Sequence, residues 1–362
     1  MARLKKHYGK WQVLYRDPTG RERSAGSFTL KADAQRARKK AEHEAEIGAW
    51  IDPELRSLPL SDWSEQWMIT RSGLKPKTLE GYDSLLRSRV LPMFGAVRLR
   101  DLRTIDIEAW IAAMVSEGLS ASRVRQAHQV LSAVLKSAVR SRMIMSNPAE
   151  GVSLPKAQLR EMLFLTPEEV ERLAEAINPL YRTWAYLLAY GGLRWGEAVA
   201  LRRSRINILK SRVTIDSSAT EVRGVIEFGD TKSRRARTVV VPSFLRDMLD
   251  EHLAEHVLAD PHALVFTGPT GSVLRPKYFH TRIWPMALVA AGLPSGLRIH
   301  DLRHTCAAML ISQGAHPEAI KRHLGHSSIS VTMDQYGHLL PSENEHLADA
   351  LDRVAATARA AT

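Results

Sequence analysis

The sequence predicts a multidomain, mainly α protein with small β-sheets, and three observations lead to this expectation. The chain has 362 residues, which is enough for two or three domains with cores of their own. Apolar residues recur with the helical period through most of the chain, whereas shorter runs within 8–28 and 206–241 alternate with the period of strands. Proline-containing or polar segments at 51–59 and 151–160 interrupt both patterns and predict linkers.

Residues 1–50 predict a small three-stranded β-sheet followed by a helix. Trp11, Val13 and Tyr15 alternate with polar residues, and the turn-forming sequence at 17–20 precedes returning strands at 21–28. A charged helix with a stripe of alanines is expected over 31–48. This segment has 12 Lys and Arg against 6 Asp and Glu, which favours contact with a polyanion over a purely structural role. Its candidate contact residues are Arg16, Arg21 and Arg23.

Residues 60–150 predict four helices packed around a common core. Trp63 and Trp67 are four residues apart in the first helix, and similar apolar stripes follow in the second helix, in the third at 105–115, and in the fourth, which is expected to end near 146–148. The polar faces of these helices carry many basic side chains, a pattern typical of a surface that grips phosphates. The candidates for such contacts are Lys75, Lys77, Arg123 and Arg125.

The charge of the chain is strongly uneven. The net charge is +12, with 28 Lys and Arg against 17 Asp and Glu in residues 1–160, and 23 against 22 in the remainder. Such a balance indicates a polyanionic partner that is attracted mainly by the N-terminal half. No apolar stretch is long enough to cross a membrane, and the single cysteine, Cys306, cannot form an intrachain disulfide. We therefore expect a cytoplasmic protein.

Residues 161–342 predict a mixed domain that contains both helices and strands. Thr166, Pro167 and Glu169 form a capping-box start of a helix. Helices are expected up to about residue 203, strands at 206–215, 220–228 and 237–241, and helices again to about 325. The tail at 343–362 is rich in alanine and is a candidate for a short helix.

Four clusters in this half carry side chains suited to chemistry. Arg194 follows two glycines and has Glu197 three residues on, which would orient its guanidinium; a surface salt bridge is the alternative. Lys232 lies in a basic turn between strands, where it could donate a proton or simply be solvated. His300 and Arg303 share one helix face, although a lone histidine is more often structural.

The fourth cluster combines His326 with Tyr336. Gly325 suits a helix C-cap and places His326 at the start of the next segment, ten residues before Tyr336, which by itself would be interpreted as a core or interface residue. Together the clusters supply two arginines, two histidines, a lysine and a tyrosine. The sequence lacks metal-ligand spacing, a Walker loop, a dinucleotide glycine fingerprint and a carboxylate cluster, so we expect no metal and no cofactor. Cationic donors beside a hydroxyl nucleophile indicate metal-free phosphoryl transfer.

In order and spacing these residues resemble the signature of tyrosine recombinases, the phage integrase family. The matching positions are Arg194 within Gly-Leu-Arg-x-x-Glu, Lys232 within Thr-Lys, His300-x-x-Arg303, Leu-Gly-His326 and Tyr336. The resemblance covers about 160–342 and implies the family's mixed α+β catalytic domain over 161–342. Residues 60–150 are similar to its helical, SAM-like core-binding domain, and residues 1–50 to its arm-type DNA-binding domain.

The resemblance implies a role for each residue of the signature. Tyr336 would attack a phosphodiester to form a covalent 3′-phosphotyrosyl intermediate, and Arg194 and Arg303 would clamp the non-bridging oxygens. His326 would add a hydrogen bond to them, and His300 would assist proton transfer at the tyrosine hydroxyl. Lys232 would protonate the departing 5′-oxygen, although a neighbouring basic residue remains an alternative. Two further basic residues of the same turn are candidates for DNA contact, namely Arg234 and Arg235.

The implied partners are double-stranded DNA with core-type and arm-type sites, three further copies of the chain in a homotetramer, and accessory proteins. These accessory proteins would be a host DNA-bending protein and a directionality factor, and the tail at 343–362 would pack in cis or on a neighbouring copy. The alternatives are a DNA-binding protein without enzymatic activity, a type IB topoisomerase and a recombinase that resolves chromosome dimers. The additional unit at 1–50 favours an integrase of a phage or mobile element, which would join its genome to attachment sites.

The charge asymmetry predicts how salt weakens DNA binding by the two halves. A slope of log affinity against log salt reports the number of phosphates neutralised. We expect fragment 1–160 to lose affinity for a DNA duplex more steeply than fragment 161–362, measured by fluorescence anisotropy across a salt series. An equal or steeper slope for fragment 161–362 would contradict the assignment of the long-range attraction to the N-terminal half.

Overall fold

A computed structural model describes residues 2–16, 20–46, 57–156, 161–230 and 236–337, together with 351–353, 355, 356 and 359 of the tail. The chain divides into two compact units, Met1–Leu159 and Arg160–Thr362. Several predicted features lie outside the described residues: part of the turn at 17–20, much of the first linker, the basic turn at 231–235 and most of the tail. In the described part of the chain, no helix is long and apolar enough to cross a membrane.

The first unit begins with the predicted three-stranded sheet and helix. The antiparallel strands have the order β1 (Arg3–His7), β2 (Lys10–Arg16) and β3 (Glu22–Phe28), and α1 (Lys31–Glu46) follows. The buried face of β2 carries Val13 and Tyr15, as the alternation predicts, and Ala34 and Ala41 of α1 are also buried. The fold of this segment is therefore as expected, with β2 beginning at Lys10 after a turn at Tyr8-Gly9.

The same unit contains a helical bundle, and it buries the predicted apolar stripes. Its helices are α2 (Leu60–Ile69), α3 (Pro76–Leu85), α4 (Leu91–Phe94), α5 (Thr104–Ser116) and α6 (Ala121–Arg140). A π-helical turn, Leu86–Val90, connects α3 to α4. The prediction that the fourth helix ends near 146–148 was wrong: α6 ends at Arg140, and Arg142 then takes a left-handed conformation with φ of 54°.

The candidate DNA contacts of this unit differ in what they touch. Lys75 is exposed at the start of α3. Lys77 is exposed and forms an ion pair with Glu80. Arg125 is also exposed, and its Nε donates to the carbonyl of Pro155. The remaining candidates divide into exposed and half-buried side chains: Arg16 and Arg21 are exposed, and Arg23 and Arg123 are half-buried.

The second unit is a helical domain with short sheets at its side. Its first helices are α7 (Pro167–Ala176), α8 (Arg182–Gly191) and α9 (Trp195–Val199). The predicted capping box is present, since Thr166 accepts from the backbone N–H of Glu169 and the Glu169 carboxylate accepts from that of Thr166. The later helices are α10 (Ser243–His256), α11 (Pro276–Tyr278), α12 (Trp284–Ala290), α13 (Ile299–Ser312), α14 (Pro317–Leu324) and α15 (Ile329–Tyr336).

Two of the three predicted strands are in fact broken by turns. The run at 206–215 forms β4 (Ile206–Asn207) and β5 (Arg212–Ile215), separated by a turn in which Ser211 has φ of 50°. The run at 220–228 is a hairpin of β6 (Ser217–Val222) and β7 (Val225–Asp230), because Arg223 and Gly224 both have positive φ. The third strand, β8 (Arg237–Val240), pairs with β5 in the sheet β4-β5-β8.

The glycine that caps α8 has no room for a side chain. Gly192 has φ of 66°, and a Cβ there would lie 2.6 Å from Leu324 Cδ2 and 3.2 Å from the Cys306 sulfur. We expect Gly192→Ala to lower the thermal unfolding temperature. The strain of an alanine in the left-handed conformation and the clash of its Cβ should together cost roughly 2–4 kcal/mol.

The matched control is Gly224→Ala. Its φ is 80°, but nothing lies within 4 Å of the added Cβ, so that only the backbone strain applies. Calorimetric scans should therefore show a clearly larger loss for Gly192→Ala. Equal losses for the two variants would contradict the packing around Gly192.

Candidate active site

Arg194 is held in one orientation by the sequence around it. Gly192 ends α8 in a left-handed conformation, and Arg194 then forms the N-cap of α9. The Glu197 carboxylate accepts from the Arg194 backbone N–H at 2.9 Å and from its guanidinium at 2.8 Å. The predicted carboxylate support for Arg194 is therefore present in the structure.

Glu197 also binds a second arginine, which the sequence analysis did not single out. Both oxygens of this buried carboxylate accept from the guanidinium of Arg237, at 2.9 and 2.7 Å. Burial alone would raise the pKa of Glu197, but the hydrogen bonds and charge of Arg237 and the charge of Arg194 outweigh it and lower that pKa to about 2. The carboxylate therefore stays ionised between the two guanidinium groups.

Arg237 connects three parts of the domain. It is the first residue of β8, its side chain is only 8% exposed, and its Nε donates to the carbonyl of His323 near the end of α14. In the sequence it is the last basic residue of the turn at 231–237, so it looks like another solvated charge. Its position at the start of a strand that alternates buried and exposed residues was the signal that could have identified it.

Arg303 lies at the centre of the site. It is 2% exposed and belongs to α13, and its two terminal nitrogens donate to the carbonyls of Gly192 and Leu324, each at 2.5 Å. Burial and the charges of Arg194 and Arg237 lower its pKa to about 9, so the guanidinium remains protonated at neutral pH. Arg303 thus ties together the turns that precede Arg194 and His326.

His326 follows the turn at the end of α14. Gly325 caps this helix with φ of 69°, as the sequence predicts, and the His326 Nδ1 is 2.8 Å from the hydroxyl oxygen of Thr332. Burial and then the charges of Arg303 and Arg194 lower its pKa to about 3. His326 is therefore neutral, and the contact with Thr332 occupies only one of its two ring nitrogens.

Tyr336, the last residue of α15, completes the site. It is 1% exposed, and its ring is nearly parallel to that of His326, with the centroids 6.3 Å apart. Burial raises the pKa of its phenol to about 12, although the charges of Arg303 and Arg194 act in the opposite direction. The hydroxyl lies 2.7 Å from Nδ1 of His304.

This contact differs from the prediction that His300 serves the tyrosine hydroxyl. His300 packs edge-on against His304, with the ring centroids 4.8 Å apart, so His304 occupies the place next to the hydroxyl. The reason is helical geometry, because His304 is one turn further along α13 and points toward α15. His300 keeps an exposed edge, yet burial and the nearby His304 and arginine charges lower its pKa to about 4.

The basic turn that contains Lys232, Arg234 and Arg235 lies outside the described residues. Its two ends are described: β7 ends at Asp230, and β8 begins at Arg237, whose guanidinium reaches Glu197. Within the described ranges, no three His, Cys, Asp or Glu side chains are grouped as metal ligands.

Replacing Glu197 by glutamine should destabilise the second unit. Removal of the carboxylate leaves the nearly buried guanidinium of Arg237 and the half-buried one of Arg194 without their counter-charge, and breaking a buried pair typically costs about 3–5 kcal/mol. Because the folded-state pKa of about 2 is below the ordinary value of 4.5, the carboxylate stabilises the fold above about pH 4.5, and this stabilisation is lost as the pH falls toward 2. The difference between wild type and Glu197→Gln should therefore shrink in acid, as measured by urea unfolding at neutral and acidic pH.

Glu318→Gln is the matched control for this experiment. Glu318 forms a more exposed ion pair with Lys321, whose contribution should be below about 1 kcal/mol. A loss of stability as small for Glu197→Gln as for Glu318→Gln would show that the buried pair is not a structural requirement.

Comparison with known proteins identifies the family. Residues 163–343 match the model of the phage integrase family, and residues 59–115 match that of the phage integrase N-terminal SAM-like domain. The chain is 28% identical to the integrase of Mycobacterium phage L5, with 96% of each chain covered.

Its fold is similar to that of the Tn1549 transposon integrase in complex with transposon right-end DNA, with a TM-score of 0.72, 18% identity, and coverage of 82% of this chain and 100% of the other. It is also similar to lambda integrase in a tetramer bound to a Holliday junction, with a TM-score of 0.59, 20% identity, and coverage of 92% and 94%. The chain therefore belongs to the phage integrase family and is a site-specific tyrosine recombinase.

Proposed function

We propose that this recombinase integrates and excises the genome of a phage or mobile element at attachment sites, with Tyr336 as the nucleophile. One observation carries the assignment of the site: the guanidinium of Arg303 binds the carbonyls two residues before both Arg194 and His326. These three side chains and Tyr336 come from separate helices and turns, yet they act electrostatically on one another. The similarity to integrases of phages and transposons supports the proposed substrate.

The arrangement suits an in-line attack on a DNA phosphodiester. Arg194 and Arg303 would bind the non-bridging oxygens, and His326, held through Thr332, would donate to one of them. Charge develops on these oxygens in the transition state, where fixed cationic donors stabilise it without reorganising. The bond energy is kept in the 3′-phosphotyrosine, so that no nucleotide cofactor is required for rejoining.

The leaving group requires a proton donor on the 5′-side of the phosphate. Lys232 is our candidate, because it lies in the sequence between the end of β7 and Arg237 at the start of β8, and because lysine, unlike arginine, can release a proton. His300 is retained as a candidate that acts through its neighbour His304, with which its ring is in contact.

DNA would be held chiefly by the first unit. The candidate contacts are the exposed or half-buried basic side chains of the N-terminal sheet and helical bundle, with two further ones in the basic turn: Arg16, Arg21, Arg23, Lys75, Lys77, Arg123, Arg125, Arg234 and Arg235. We propose a homotetramer on paired core-type and arm-type sites, with a host DNA-bending protein and a directionality factor as further partners. The lambda integrase tetramer on a Holliday junction is the structural parallel for this assembly.

A suicide substrate tests the nucleophile directly. A nick next to the cleavage site lets the short 5′-product diffuse away, so that the covalent protein–DNA adduct accumulates. The wild-type chain should form this adduct with attachment-site DNA, whereas Tyr336→Phe should form none and should bind the same DNA with unchanged affinity, because only the hydroxyl is lost. The measurements are denaturing gel electrophoresis and anisotropy.

The control is Tyr278→Phe, which removes the hydroxyl of a tyrosine that is 60% exposed in the same unit. This variant should form the adduct at the wild-type rate. An adduct in Tyr336→Phe would disprove the assignment of the nucleophile. Cleavage without recombination between two sites would instead indicate topoisomerase-like relaxation.

A further inference from the structure

The side chain that contacts the nucleophile is one that the family signature does not assign. His304 belongs to α13, is 5% exposed, and places Nδ1 2.7 Å from the oxygen of Tyr336. That distance is typical of a hydrogen bond to a hydroxyl. Because the phenol has a single proton, an imidazole protonated at Nε2 would accept it at Nδ1.

We propose that His304 is a catalytic residue, the general base that takes the proton of Tyr336 as its oxygen attacks. The proposal rests on the function proposed above. The Tyr336 oxygen forms a bond to phosphorus while the bond from phosphorus to the 5′-oxygen breaks. The phenolic proton passes to His304 Nδ1, and the 5′-oxygen takes a proton from the general acid. In rejoining, the 5′-hydroxyl attacks the phosphotyrosine and gives its proton back to the deprotonated general acid, while the bond from phosphorus to the tyrosine oxygen breaks and His304 returns the proton to that oxygen.

The other ionisable groups near the tyrosine are less suited to this task. His300 contacts the ring of His304. His326 stacks parallel to the tyrosine ring at 6.3 Å, and its Nδ1 is engaged by Thr332. The thiol of Cys306 is buried, and its contacts are with the carbonyl of Tyr190 and the ring of His323. Among the described side chains, only His304 forms a hydrogen bond with the Tyr336 hydroxyl.

The surroundings of His304 keep it in the form that can accept a proton. Burial lowers its pKa, and the charges of Arg298 and Arg303 act in the same direction, whereas Asp301 opposes them. The groups that face it from its own helix are therefore His300, Asp301 and Arg303. From the segment around α15 they are Tyr336 and His326, which interacts with it electrostatically. At neutral pH the imidazole is uncharged.

A need for such a base follows from the phenol itself. Burial raises the pKa of Tyr336 to about 12, so only on the order of one molecule in 10⁵ would hold a free phenolate at neutral pH. Transfer to a base in hydrogen-bond contact avoids this penalty and typically accelerates a reaction by about 10²–10⁴.

The decisive variant is His304→Asn, whose amide oxygen occupies the place of Nδ1 and accepts a hydrogen bond but cannot take the proton. Single-turnover cleavage of the suicide substrate should slow by about 10²–10⁴. Binding of the same DNA and the unfolding temperature should stay near their wild-type values. Cleavage at the wild-type rate would show that His304 only fills space and orients the hydroxyl, and would overturn the proposal.

A substrate with sulfur in place of the bridging 5′-oxygen separates the base from the acid. The thiolate leaves without a proton, so the defect of a Lys232→Ala variant should largely disappear on this substrate. The defect of His304→Asn should persist, since the attacking tyrosine still has to lose its proton. Restoration of the His304→Asn rate by the sulfur substrate would place His304 on the leaving-group side and overturn the proposal.

The wild-type chain gives a test that does not depend on how a variant folds. On the sulfur substrate, a general base predicts a rate that rises with pH below the ordinary histidine value of 6.5 and is then level through mildly alkaline pH. Without a base, the rate should instead rise tenfold per pH unit toward the tyrosine pKa. Such a continuous rise would refute the proposal. Absence of any wild-type adduct at any pH would refute the proposed function itself, which keeps the two failures distinct.

Discussion

The whole site depends on holding three guanidinium groups close together inside the protein with a single shared carboxylate. Glu197 forms ion pairs with Arg194 and Arg237, and Arg303 lies near enough to both arginines for their charges to lower its pKa. One anion cannot neutralise three cations, so the fold satisfies Arg303 in another way, with two backbone carbonyls. The cluster therefore keeps an excess of positive charge, and burial of the surrounding helices offsets its free-energy cost. A phosphate is the ligand that would neutralise this charge.

This constraint explains why turns, and not helix centres, surround the site. The last carbonyls of a helix have no backbone N–H of a following turn to accept from, so they are open to a side-chain donor. Gly192 is the C-cap of α8. Leu324 is the last residue of α14, and Gly325 is its C-cap; both glycines have a positive φ. The glycines are thus part of the electrostatic design, since they expose the two carbonyls that Arg303 needs. The same ends place Arg194 and His326 two residues further on, at a fixed distance from that guanidinium.

Much of this arrangement could be predicted from the sequence, and the exceptions have physical reasons. Arg194, Arg303, His326 and Tyr336 stand in local patterns whose geometry is set within a few residues, such as a glycine cap or an i, i+3 pair. Arg237 and His304 were missed because their partners, Glu197 and Tyr336, are 40 and 32 residues away. Strand boundaries failed for a related reason: the turn at Arg223-Gly224 interrupts a run whose β propensity is high on both sides.

The excess positive charge also determines what the histidines can do. A cationic imidazole beside three guanidinium groups would add a further repulsion, and burial penalises it as well, so the pKa values of His300, His304 and His326 are all lowered. Neutral imidazoles keep one donor and one acceptor nitrogen each. Where the arginines supply charge, the histidines can therefore supply proton transfer and hydrogen bonds of fixed direction. In the proposed mechanism, the buried phenol of Tyr336, whose raised pKa disfavours the phenolate, would become a usable nucleophile because such a neutral acceptor lies within hydrogen-bond distance.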